Sequence, residues 1–244
     1  MRILLTNDDG LFTNGMLHLE EELSQLAETW CIAPDRERSA TSQALTLRET
    51  LIVQQIAERK YTVNGFPTDC VNVALFAGGF PFFDLVVSGI NHGVNMGDDV
   101  HYSGTVGAAR HAALHGRKSV AVSCPIREHD GDFRAAARWV REWLAARASL
   151  LQPRIVWNIN YPAVTNGRMP EGRITFQGKR SYHDEYELIE DAPGRRILKL
   201  KETTMGNEIE PGSDFDAFDA GFVSLTPLST STTAAVESPE RYLL

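Results

Sequence analysis

Val86-Val87-Ser88-Gly89-Ile90-Asn91-His92-Gly93-Val94-Asn95-Met96-Gly97-Asp98-Asp99-Val100-His101-Tyr102-Ser103-Gly104-Thr105-Val106-Gly107 is the stretch from which the fold can be read. The apolar run Leu85 to Val87 has the pattern of a buried strand. It opens into a loop with Gly89, Gly93, Gly97 and Gly104, where glycine lets the backbone turn sharply and approach a ligand. Small polar side chains lie between them: Asn91, Asn95, Asp98, Asp99, Ser103 and Thr105. Ala108 to His115 then predicts a helix that Gly116 stops. An open α/β sheet binds ligands in this order of strand, polar loop and helix, beyond the carboxyl end of a strand. The N–H groups at the start of the helix, near Ser103-Gly104-Thr105, suit an anion. A plain connecting loop is the other reading, but loops this long are uncommon in a compact domain unless they bind something.

Toward the N-terminus, Thr68 to Leu75 predicts a helix that starts near Thr68. Leu45-Thr46-Leu47, Leu51-Ile52-Val53 and Tyr61-Thr62-Val63 predict strands, the last closed by the turn signal Asn64-Gly65. Together they form a β insertion near 45–64 that shapes a rim. Pro34 to Ser42 is a mixed-charge loop in which Arg36 and Arg38 either hold a phosphate or are simply solvated. Trp30 to Ala33 predicts another strand. Met16, Leu19, Leu23 and Leu26 fall on one helical face after a capping Asn14. Ile3 to Thr6 predicts the first buried strand, so the chain opens on a βαβ unit and hence a parallel sheet. That first strand ends in Asn7-Asp8-Asp9-Gly10. Two adjacent carboxylates repel, and more so when partly buried. A divalent cation removes the difficulty, and hard cations prefer oxygen ligands. The same tetrapeptide is also good chemistry for a solvated turn, so the residues alone leave both readings open.

Toward the C-terminus, Ser119 to Ser123 and Ile155 to Asn160 predict further strands. Between them, Phe133, Ala136, Ala137, Val140, Trp143 and Leu144 mark the apolar face of a long helix. The expected fold is α/β, a Rossmann-like, mainly parallel sheet flanked by helices, over residues 1–166. From about Gly167 the pattern changes to short alternating pieces such as Arg195 to Leu200, with a last strand at Phe222 to Leu228. Residues 167–244 read as a β-rich C-terminal extension that cannot bury its own faces and so pairs with another subunit.

With 24 Lys and Arg against 32 Asp and Glu, the net charge of −8 argues against a nucleic-acid partner. It does not argue against a small phosphorylated substrate, because a bound cation reverses the local field. Cys31, Cys70 and Cys124 are odd in number and widely spaced, which predicts buried, reduced thiols and a cytoplasmic location. The opening apolar run is too short for a signal peptide, and no stretch approaches a membrane span. No Gly-x-Gly-x-x-Gly opens the first helix, and neither a P-loop nor a Gly-x-Ser-x-Gly elbow occurs. Dinucleotide, nucleoside-triphosphate and serine-hydrolase readings therefore lack their usual support.

Several segments together resemble the SurE family of stationary-phase survival proteins. They are Asn7-Asp8-Asp9-Gly10 after the first strand, Pro34-Asp35-Arg36 through Ser39, and Ser88-Gly89-Ile90-Asn91 through Ser103-Gly104-Thr105-Val106-Gly107. Gly65-Phe66-Pro67-Thr68-Asp69-Cys70-Val71, Asn158-Ile159-Asn160-Tyr161-Pro162 and Gly221 through Leu228 also fit. The resemblance implies a metal-dependent phosphatase that hydrolyses nucleoside 5′-monophosphates, and also 3′-nucleotides and short polyphosphate. It implies one divalent cation, Mg²⁺ or Mn²⁺, held by Asp8, Asp9, Ser39 and Asn91, all oxygen donors as such ions prefer. It further implies phosphate contacts from Asn95, Ser103, Gly104 and Thr105, and a homodimer or homotetramer that exchanges C-terminal arms.

On that reading Asp8, Asp9, Asn95 and Ser103 are the candidate catalytic residues. The cation would clamp a phosphate oxygen and activate water, while Asn95, Ser103 and nearby amides would stabilise phosphoryl charge. Asn7 and Asp98 or Asp99 would orient the ligands from behind. The chain departs from the family after Gly107, where Ala108-Ala109-Arg110-His111 replaces the usual Ala-Ala-Met-Glu. His111 and His115 lie one helical turn apart, a spacing that can bind zinc, although the sequence puts no third ligand beside them. His101 either reaches the leaving group or lies on the surface. The alternative function is a non-catalytic, nucleotide-binding stress regulator of the same fold.

Overall fold

The computed structural model of the chain describes residues 1–125, 131–163, 168–201 and 204–233. The 166/167 boundary and the last residues of the expected extension lie outside them.

The chain opens with β1 (Arg2–Thr6), α1 (Asn14–Leu23), β2 (Glu28–Pro34), β3 (Val53–Ala57), β4 (Lys60–Val63) and α2 (Pro67–Phe76). Next come β5 (Leu85–His92), a 3₁₀ turn over Gly97–His101, α3 (Gly104–Leu114), β6 (Lys118–Cys124), α4 (Gly131–Arg147) and β7 (Ile155–Asn160). The later part gives β8 (Gly172–Ile174), β9 (Lys179–His183), β10 (Tyr186–Ala192), β11 (Arg195–Leu200), β12 (Thr204–Glu208), α5 (Asp214–Asp219) and β13 (Val223–Ser229). One nine-stranded sheet runs in the order β3-β4-β2-β1-β5-β6-β7-β13-β8. From β4 to β7 every neighbour is parallel, as the opening βαβ unit predicted.

Residues on alternate sides of the strands build two cores. Ile3, Leu5, Val87 and Val122 face Met16, Leu19 and Leu23 of α1 and Ala136, Val140 and Leu144 of α4. Leu4, Ile32 and Val86 face Cys70, Val71 and Ala74 of α2 and Ala108 and Ala112 of α3. A strand covered on both faces reads as a continuous apolar run, which is why β1 and β5 are legible from sequence. Each fully buried leucine or isoleucine contributes about 1.5–3 kcal/mol of transfer free energy. All three cysteines are buried, and none of them is in a disulfide. No helix among the described residues is long and apolar enough to cross a membrane.

Several local expectations shift. Leu45-Thr46-Leu47 forms no strand, because Thr46 turns its N–H (2.9 Å) and hydroxyl (2.7 Å) to the carboxylate of Asp69. β3 begins at Val53, and its hairpin to β4 turns at Glu58-Arg59, with Arg59 in the left-handed region (φ 57°). Asn64-Gly65 instead links β4 to α2, and the Asn64 side chain accepts from Ile52 N–H at 2.7 Å. The cap of α1 is Thr13 rather than Asn14. α3 begins at Gly104, four residues before the expected start, with Ser103 as its cap.

The β-rich part divides in two. β13 pairs antiparallel with β7 and parallel with β8, so both ends of this part are continuous with the main sheet. β9 pairs with β12, and β10 with β11, as two separate ribbons. Tyr186, Leu188, Ile189, Leu198 and Leu200 of the β10–β11 ribbon are exposed.

Candidate active site

The carboxyl ends of β1, β5 and β7 meet at the start of α3. A cavity of about 600 Å³ opens there, lined by Asp8, Ser39, Asn91, Asn95 and Ser103 together with His92, Asp99, Tyr102, Tyr182, Asp184 and Leu200. Five of the expected site residues therefore share one cavity. Gly104 and Thr105 are buried behind it, and Asp9 stands at its edge with a carboxylate oxygen 3.3 Å from the N–H of His92.

Asp8 is the most constrained of these groups. It is 3% exposed. Thr105 donates to both of its oxygens, through N–H at 3.1 Å and through a short bond from the hydroxyl. The Asp8 carbonyl accepts from Arg38 N–H at 2.7 Å, which ties the loop carrying Ser39 to the end of β1. A Cβ at residue 104 would lie 2.9 Å from an Asp8 oxygen, so glycine there lets the helix start approach the carboxylate. Burial pushes the Asp8 carboxyl up to about 6, against the pull of the Thr105 hydroxyl and with a further push from Asp9. Burial also raises Asp9, opposed by His92.

Asn91 donates its side-chain amide to Gly93 O at 2.9 Å, which turns the amide oxygen the other way. Ser39 donates to Glu37 at 2.8 Å and keeps its lone pairs. Asn95 is held from the sheet: its N–H donates to Asn160 (2.8 Å), its side chain donates to Ser123 (2.8 Å), and its carbonyl accepts from Asn158 (2.8 Å) and Asn160 (3.1 Å). The Ser103 oxygen accepts from Val106 N–H at 3.1 Å, so its hydroxyl proton remains to be donated.

Some expected roles are taken up by the protein itself. The Thr105 hydroxyl and N–H both serve Asp8. Asn7 closes its own turn through Gly10 and Thr13. Asp98 and Asp99 bind Arg180 and Tyr182 of β9. Arg38 donates to Asn64 O at 2.7 Å. His101 is exposed, 3.3 Å from the Gln177 amide. His111 meets Asn72 at 3.2 Å and the His115 ring at 4.6 Å. Among the described residues no three of His, Cys, Asp and Glu converge, so this pair has no third such ligand. Tyr182, Asp184 and Leu200 were missed by sequence reading, since they reach the cavity from strands or turns far along the chain. The asparagines that end β7 were the only hint of the support behind Asn95.

A divalent cation suits this donor set. Asp8, Asp9, Ser39 and Asn91 offer oxygen alone, the choice of Mg²⁺ or Mn²⁺. No lysine or arginine lines the cavity among the described residues, although three aspartates do.

The chain is similar to known proteins along nearly its whole length. The family model "Survival protein SurE" matches residues 3–184. A protein of Leptospira interrogans named 5′-nucleotidase SurE is 46% identical over 233 residues, 96% of this chain and 93% of the relative. One of the same name from Acinetobacter baumannii is 40% identical over 247 aligned positions, covering 96% and 95%. The crystal structure of a SurE protein from Aquifex aeolicus superposes with a TM-score of 0.79 at 31% identity, over 96% of this chain and 95% of that one. With a family model matched over most of its length, relatives 40–46% identical along almost the whole chain and a shared fold, the chain belongs to the SurE family.

Proposed function

We propose that this SurE-family protein is a divalent-metal-dependent 5′-nucleotidase that hydrolyses nucleoside 5′-monophosphates to nucleoside and phosphate. Its relatives carry that enzyme name along almost the whole chain. The observation that carries the metal dependence is the charge of the cavity. Asp8 lines it with Asp9 at its edge, and no lysine or arginine lines it among the described residues, so a phosphate dianion needs a cation to enter.

Asp8, Asp9, Ser39 and Asn91 would hold that cation, Mg²⁺ or Mn²⁺. When bound, it supplies electrophilic polarisation of the phosphoryl group and lowers the pKa of water. The chain's own residues do the rest. Asn95, fixed by Ser123, Asn158 and Asn160, and Ser103, fixed by its capping bond, present donors to phosphoryl oxygens. Rigid donors stabilise developing charge without reorganising. Thr105 keeps Asp8 in one orientation. Asp8 or Asp9 would take the proton of the attacking water.

The same reading extends to 3′-nucleotides and short polyphosphate, which present the same terminal phosphoryl group. Residues 167–244 would serve as an oligomerisation arm in a homodimer or homotetramer, supported by the exposed apolar β10–β11 ribbon. A cytoplasmic location fits three cysteines outside any disulfide.

Phosphate release from a panel of nucleoside 5′- and 3′-monophosphates and tripolyphosphate, with Mn²⁺, with Mg²⁺ and after chelation, tests this function. Release should require metal, and Asp8→Asn should reduce it by about 100-fold or more. Full release after chelation refutes the metal role. Nucleotide binding without release under any metal supports the regulator instead.

A further inference from the structure

We propose that Arg180 and Tyr182 are positioning residues for the phosphate end of the site, acting through Asp99 to hold the 95–103 loop from the β-rich arm. The inference rests on the nucleotidase reading for its substrate, but its geometry is independent of it.

The loop from Asn95 to Ser103 carries two of the phosphate donors. Its first residue is fixed to the sheet by Asn158 and Asn160, and its last caps α3. The middle is held from the arm. Gly97 N–H donates to Asp214 at 2.9 Å, and Asp214 also accepts from Gly178 N–H at 2.9 Å. Arg180 N–H donates to Asp98 at 2.9 Å. The Arg180 guanidinium pairs with Asp99 at 2.8 Å, with both side chains largely buried (9% and 15% exposed). Tyr182 donates its hydroxyl to the other Asp99 oxygen in a short bond. A pair this sheltered, with both carboxylate oxygens of Asp99 engaged, fixes geometry better than a surface pair.

Two further features make this a built clamp. Gly97 sits at φ +54°, and a Cβ there would lie 2.7 Å from the Phe215 ring and 3.2 Å from Arg180 N, so the arm comes as close as glycine allows. The Arg180 guanidinium in turn lies over the Phe215 ring at 4.9 Å. The clamp also leads into the site. Tyr182 meets Tyr102 edge-on at 5.8 Å, and Tyr102 directly precedes Ser103. The Tyr102 carbonyl accepts from Ser42 N–H at 2.8 Å, in the same loop as Ser39. Displacing Asp99 therefore moves Ser103 directly and the Ser39 loop through Tyr102.

The test uses the full chain with Tyr182→Phe, which removes one hydroxyl, and Arg180→Met, which removes the charge at similar length. Four readouts are needed: kcat and KM for a nucleoside 5′-monophosphate with Mn²⁺, the Mn²⁺ half-saturation, calorimetric affinity for inorganic phosphate with Mn²⁺ present, and the melting temperature. Tyr182→Phe should lower kcat by about tenfold and Arg180→Met by about 10- to 100-fold, since small displacements of remote supports cost that much. Phosphate affinity should fall in both by a larger factor than any rise in Mn²⁺ half-saturation, because Ser103 moves directly and the Ser39 loop only through Tyr102, and for Tyr182→Phe the melting temperature should stay put. Adding Tyr182→Phe to Asp99→Ala should cost almost nothing more, because Asp99→Ala already removes the oxygen that accepts the Tyr182 hydroxyl. Unchanged kcat and phosphate affinity in both variants overturn the proposal, as do losses in Tyr182→Phe that follow only a lowered melting temperature. If the parent protein releases no phosphate, the nucleotidase reading fails by itself, and the phosphate affinities still decide the clamp.

Discussion

Replacing Thr105 by valine keeps the shape of the side chain and deletes one hydroxyl. That hydroxyl, fully buried, donates to an oxygen of Asp8, which is 3% exposed. A methyl group would then face a buried carboxylate. Loss of a hydrogen bond to a charged group costs about 1.5–3 kcal/mol. The hydroxyl is also the strongest influence lowering the Asp8 pKa, which already stands at about 6. Without it the acid form gains further, and a proton competes with the cation near neutral pH. A cost of that size, at about 1.4 kcal/mol per factor of ten, predicts metal affinity weaker by about 10- to 100-fold, as for other residues that orient a ligand from behind. The assay is phosphate release titrated with Mn²⁺ at several pH values. Thr105→Val should raise the Mn²⁺ half-saturation by that factor, most strongly at low pH, and recover most of its rate at saturating metal. Thr105→Ser keeps the hydroxyl and should lie much nearer the parent. A Thr105→Val protein with unchanged metal dependence would refute the assignment of Thr105 as the support of Asp8. So would a rate loss that no amount of Mn²⁺ restores.

Two further predictions concern the helix that starts behind the site. Gly107→Ala puts a methyl 2.2 Å from Ser42 O, so the Ser39–Ser42 loop must move off α3. This should cost about 1–3 kcal/mol in urea unfolding and lower turnover as well; wild-type stability and rate would show that the loop yields freely. His111 is buried, and this holds its pKa at about 4 instead of 6.5, with a smaller push from His115. Because the folded value is the lower one, the unfolded chain binds a proton first, and this residue costs stability as pH falls from 6.5 toward 4. His111→Gln should therefore show a smaller drop in melting temperature between pH 7 and pH 5 than the parent, and equal drops would count against it.

The legible parts of the fold were those with local causes. Ile3-Leu4-Leu5 and Leu85-Val86-Val87 announce themselves because both faces of those strands are buried. Asn7-Asp8-Asp9-Gly10 and the Ser88–Gly107 stretch carried the site because the ends of β1 and β5 are neighbours in the sheet. Leu45-Thr46-Leu47 alternates as a strand does but forms none, because the donors of Thr46 are taken by Asp69 from another element. The β9 clamp was invisible for a different reason. Asp99 meets Tyr182 across 83 positions, and Gly97 meets Asp214 across 117. No periodicity or spacing records a partner so distant. The family resemblance and the N–H groups of a helix start point to Thr105 as a phosphate contact, whereas here its hydroxyl and N–H meet the protein's own carboxylate, Asp8.

The place of β13 in the sheet bears on how the protein comes to exist at the ribosome. β7 waits for its antiparallel partner while roughly sixty more residues are made, about 3–12 s at typical synthesis rates. During that interval β7 offers an unpaired edge to any other strand nearby. Asn158 and Asn160, which steady the phosphate loop, lie on that same strand. The support of the site is thus among the last parts of the nascent chain to be sheltered, and the stage most exposed to mispairing comes just before the site is complete.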